Sequence, residues 1–254
     1  MIHLKISLLK WLDYFIKLNF TNFIKLIMNL FFRKKVIFEP QIIKSKHWTY
    51  ICDTLDSILI SNKYFEYSLQ SKISEVISIL NNKYSSVDMI NIWAHLWRYS
   101  IQYSNNFQNI YAFEPTPKTF KYLSANIELS KKNNINIFNM WLGNSESQMH
   151  FEINKSAESQ NKVVTKSNPN TITININKFD DLKFNKQNIK FFLIDVEGFE
   201  EDVIKWMENF INNNEDIYII IELLTIKNLE KISKLLKNFT YTKIDPINYL
   251  FIKK

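Results

Sequence analysis

The sequence predicts an α/β fold: an open, mainly parallel sheet covered by helices, with a helical extension in front of it. Three observations lead there. After Val87, apolar strand-like runs alternate with helix-like runs, the pattern of parallel strands joined by crossover helices. Before that point apolar residues recur three or four positions apart, as on one face of a helix. Between the two lies Asn91–Ser100, reading N-I-W-A-H-L-W-R-Y-S. This stretch follows a strand-like run, leads into a helical one, and is answered by a second strand ending in Glu114. Strand, tight turn, helix, strand and acid form the layout of a nucleotide-type cofactor site at the edge of an open α/β sheet.

The chain has 254 residues, 46% of them hydrophobic and 15% aromatic, enough for a substantial core and against disorder. Its net charge of +7 comes from scattered lysines and arginines. Without a basic run, nucleic acid is not an expected partner. The single cysteine, Cys52, excludes an internal disulfide framework and a cysteine-rich zinc site, and fits a cytoplasmic setting. Only two glycines are present, where usual usage gives about 18.

Residues 1–84 read as the helical extension and 85–254 as the main domain. In residues 1–35, Leu4, Leu8, Leu12, Phe15, Phe23, Ile27 and Phe31 are interrupted by lysines, so no run of about 20 apolar residues spans a bilayer. These helices are expected on the core or on a partner, with peripheral membrane contact as the alternative reading. From Gln41 to Tyr84 the pattern stays helical, through Leu55, Ile58, Leu69, Ile73, Val76 and Leu80.

The main domain then reads as strand Val87–Ile92, helix Ala94–Ser104, strand Asn109–Glu114, helix Lys118–Ser130 and strand Ile135–Leu142. Alternating segments follow at Gln148–Ile153 and Thr171–Ile176, around a polar loop, Asn154–Asn170. Strand Ile189–Asp195, helix Glu200–Ile211, strand Ile217–Leu223 and helix Ile226–Phe239 continue the alternation. The closing strands, Tyr241–Ile244 and Tyr249–Ile252, lie too close for a crossover helix, so one must run antiparallel.

Four motifs carry a family resemblance. Tyr111-Ala112-Phe113-Glu114-Pro115, Lys178-Phe179-Asp180-Asp181-Leu182, Leu193-Ile194-Asp195-Val196-Glu197-Gly198-Phe199-Glu200 and Asn248-Tyr249-Leu250-Phe251-Ile252 resemble, in order, segments of the FkbM family of S-adenosylmethionine-dependent methyltransferases. The resemblance implies a Rossmann-like, seven-stranded class I methyltransferase sheet. It also implies methyl transfer to an oxygen nucleophile on a small-molecule or glycan acceptor, by in-line displacement in which positioning does most of the catalytic work.

Candidate site residues follow from the motifs. Glu114, ending the second strand, has the carboxylate to accept both ribose hydroxyls; a surface acid before a turn is its other reading. Leu142 and Gly143 fall where the family places adenine contacts. Asp195, Glu197 and Glu200 crowd three acids around a strand end, where repulsion raises a pKa and yields a base for a hydroxyl acceptor; Glu200 equally suits a helix first turn. No histidine has a matching spacing, so no metal site is expected. His95 either faces the cofactor or bonds to backbone.

The turn departs from the family pattern. In D-x-G-A-N/H-x-G-x-Y-[ST], Asn91 replaces the acid, and Trp93 and Trp97 replace the two glycines, while Ala94, His95, Tyr99 and Ser100 fit. A side chain at the first glycine is strained by about 1–2 kcal/mol at positive φ and occupies ligand volume; one at the second overpacks the helix against the sheet. S-adenosylmethionine is the expected cofactor, its binding and turnover impaired or lost. The alternatives are a non-catalytic homologue that binds a glycan or protein, and an active enzyme if the register of the turn differs.

Overall fold

The computed structural model describes residues 24, 28, 41–44, 49–52, 66–96, 98–143, 147–152, 162–164, 167–179 and 181–253. The helices expected within residues 1–35 lie outside them, apart from helical Ile24 and Met28, and Trp97 and Asp180 are outside as well. No helix among the described residues is long and apolar enough to cross a membrane.

Seven strands form the main sheet: β3 (Asp88–Ile92), β4 (Asn109–Phe113), β5 (Ile135–Phe138), β10 (Ile189–Ile194), β11 (Tyr218–Glu222), β12 (Phe239–Lys243) and β13 (Asn248–Lys253). Their order is β5-β4-β3-β10-β11-β13-β12. The first five run parallel, and β13 is antiparallel to β11 and β12. This is the seven-stranded class I methyltransferase arrangement. Helices α1 (Tyr67–Lys83), α2 (Arg98–Gln102), α3 (Pro117–Ser130), α4 (Glu200–Trp206), α5 (Glu208–Asn213) and α6 (Ile226–Leu235) accompany it.

Period-2 alternation divides the strands between two cores. Met89, Ile110, Ala112, Phe191, Leu193 and Ile220 pack with Leu69, Ile73, Val76 and Leu80 of α1 on one face. Ile90, Ile92, Tyr111, Phe113, Phe192, Ile194, Ile219 and Ile221 face the other core. Strands buried on both faces are rich in apolar residues with few polar interruptions, which is why they were legible.

Several expectations are corrected. The helical reading of Gln41–Tyr84 fails at its start: β1 (Gln41–Lys44) and β2 (Thr49–Cys52) form an antiparallel pair. That pair is anchored on α3, where Asn126 Oδ1 accepts from the Ile51 N–H at 2.5 Å and Asn126 Nδ2 donates to the Ile51 and Leu96 carbonyls. The single strand Ile135–Leu142 is two, β5 and β6 (Trp141–Gly143). The break lies at Asn139, whose Nδ2 donates to the Glu114 and Pro115 carbonyls. Strand β6 leaves for a second sheet, β6-β9-β7-β8, with β7 (Ser147–Glu152), β8 (Lys162–Val164) and β9 (Thr171–Lys178). Part of the expected polar loop is therefore strand. Helix Ala94–Ser104 begins only at Arg98, because Trp93 and His95 hold φ of 64° and 54°, outside the helical region. Helix Glu200–Ile211 is broken at Met207, and the last helix ends at Leu235 rather than Phe239.

Lys253 closes the end of α5. The residue is 6% exposed, and its ammonium donates to the carbonyls of Ile211, Asn212 and Asn214 at 2.7–2.9 Å, where a cation also meets the negative end of the helix. Lys253→Met leaves three carbonyls without this donor and is expected to cost about 2–4 kcal/mol, read as a lower urea midpoint at unchanged slope.

Candidate functional site

Open α/β sheets bind ligands outside the carboxyl ends of their strands, where the strand order reverses. Here that point lies between β3 and its neighbours β4 and β10, and a cavity of about 320 Å³ opens there. Asn91 and the turn after β3 form one side, and Leu193 to Asp195 form the end of β10. Glu222 ends β11 and stands in register with Asn248 at the start of antiparallel β13, so both reach the same sheet edge. Glu66 and Leu69, at and just inside the start of α1, and Arg98 and Tyr99 close the remaining side.

The turn itself is tightly bonded. Asn91 Nδ2 donates to Ser100 Oγ at 2.8 Å, and the Ala94 N–H donates to the Phe113 carbonyl at 2.8 Å. The His95 N–H donates to Glu114 Oε2 at 3.0 Å, and the Thr116 N–H to Glu114 Oε1 at 2.9 Å. Glu114 is fully buried and braces the turn from behind. It does not line the cavity.

Trp93 stands at the expected glycine position and at positive φ. Its indole is 9% exposed and enters the core facing the second sheet. There it meets Trp141 edge-on at 5.4 Å and Phe151 at 5.5 Å, while Trp141 meets Phe199 edge-on at 5.5 Å. Leu142 and Gly143, expected at the cofactor, are buried in β6 beside this cluster and away from the cavity lining. Asn91, Trp93, Ala94 and His95 do line the cavity.

The acidic cluster differs in membership from the expected one. Asp195 and Glu197 converge with Glu222, their oxygens within 4.8 Å of one another. Glu200 turns away: Oε1 accepts the Gly198 N–H at 2.7 Å, and Oε2 lies 3.5 Å from Asn228 Nδ2. The chain folds this way because Glu197 and Gly198 both take positive φ, 47° and 105°, which reverses the backbone between β10 and α4. Three oxygen-bearing acids at this distance make a set that hard cations accept.

Asp195 is exposed to the cleft, and other carboxylates stand around it. Desolvation, then the charges of Glu222 and Glu197, hold its carboxyl well above the ordinary value. Desolvation and Glu197, with Glu66 and Asp245 beyond, push Glu222 up to about 7. Burial also raises Glu66, against the opposing hydrogen bond from Tyr99 and the charge of Arg98, and raises Glu200. Sequence reasoning missed Glu66 and Glu222. Glu222 was visible only as the polar residue within the apolar run Ile217–Leu223.

A family model described as the methyltransferase FkbM domain matches residues 55–243. No curated protein matches. Similar solved structures include a precorrin-6y C5,15-methyltransferase from Geobacter metallireducens GS-15, at 15% identity over 71% of this chain and 88% of that one, TM-score 0.43. M. jannaschii TYW2 in complex with AdoMet has 12% identity over 85% and 84%, TM-score 0.42. A magnesium protoporphyrin IX methyltransferase from Synechocystis PCC 6803 with bound SAM has 10% identity over 76% and 83%, TM-score 0.45.

Proposed function

Because the chain belongs to the FkbM methyltransferase family, we propose that it retains the scaffold for methyl transfer from S-adenosylmethionine to a sugar or glycan hydroxyl, with cofactor binding severely weakened or lost. Trp93 is the observation that carries the second half. The indole stands where the family has glycine, and the cavity beside it, about 320 Å³, lies at the small end of the ~300–1,000 Å³ usual for ligand pockets. The other cofactor contacts are weakened too. Asn91 has no charge to offer an ammonium group, only its amide oxygen, Nδ2 being donated to Ser100 Oγ, while both Glu114 oxygens accept backbone N–H groups. These residues do not fit the cofactor as the family binds it.

Making room requires the indole to leave Trp141 and Phe151. Removing a large aromatic from a packed core costs about 3–5 kcal/mol, a loss of roughly a hundredfold to several thousandfold in affinity. Calorimetric titration with S-adenosylmethionine is expected to show no saturation below about 1 mM. A micromolar dissociation constant would overturn the reading. In a chain able to bind the cofactor, Asp195 and Glu222 are the carboxylates placed to take a proton from an acceptor hydroxyl, since crowding gives them the basicity that the task needs near neutral pH.

A further inference from the structure

We draw no further inference here: the strongest candidate, the cluster of Asp195, Glu197 and Glu222 at the carboxyl ends of β10 and β11, belongs to the site already described, and nothing among the described residues points to a ligand for it.

Discussion

Trp93→Gly is expected to lower the stability of the protein and, at the same time, to raise its affinity for S-adenosylmethionine at least tenfold. The two effects have one cause. The indole is a core residue, held edge-on by Trp141 and tilted against Phe151, so its removal costs about 3–5 kcal/mol. It also sits at φ 64°, where a side chain is strained by about 1–2 kcal/mol and glycine is not. The net loss is about 1–4 kcal/mol, a fall of roughly 3–12 °C in melting temperature. Against that, the vacated volume adjoins the cavity and makes room where the family accommodates its cofactor. Thermal unfolding and calorimetry on the same preparation check both halves. A folded variant that loses stability but gains no affinity would show that Trp93 is not what limits binding.

Glu222→Gln is expected to stabilise the protein at pH 8 by about 1–2 kcal/mol and to have almost no effect near pH 4.5. Glu222 is held at about 7 in the folded chain against about 4.3 unfolded. A group whose folded pKa is raised contributes stability that is fully present below the unfolded value and lost as pH rises through the folded one. Removing the charge therefore helps progressively more as pH rises through that window and fully above it. The full displacement corresponds to about 4 kcal/mol; water in the cleft and sharing of the repulsion with Asp195 reduce the expected gain. Urea unfolding at the two pH values gives the difference directly. An equal effect at both would mean that the carboxylates do not repel one another as the geometry implies.

The strands of the main sheet were legible because they are buried on both faces. Val87–Ile92, Ile189–Asp195 and Ile217–Leu223 read as predominantly apolar runs, interrupted only by Asp88, Asn91, Lys190 and Glu222 before their ends, and ended within a residue or so of β3, β10 and β11. The turn after β3 was legible as a turn, but not in its conformation. Ala94 and Leu96 belong to a good helical pattern, and only the backbone shows that Trp93 and His95 keep the helix from starting there. The passage from β5 to β6 was hidden because Ile135–Leu142 stays mostly apolar on both sides of Asn139, and one polar residue does not signal a change of sheet. The acidic cluster was half legible. Asp195 and Glu197 are neighbours in sequence, but Glu66 and Glu222 join them only through the ends of α1 and β11. Glu200, adjacent in sequence, faces the Gly198 amide instead.

The bonds of Asn126 also bear on the order in which the chain assembles. Its side chain joins Ile51, 75 positions earlier, to Leu96 in the turn after β3. Contacts that distant in sequence close late, because chain entropy must be lost before they contribute. Helix α3 must already lie on the sheet, presenting Asn126, before β2 has an edge to meet. On heating the sequence runs backward: the β1–β2 pair is expected to detach before the sheet opens, breaking the two Ile51 bonds to Asn126 while the Asn126 bond to the Leu96 carbonyl still ties α3 to the turn.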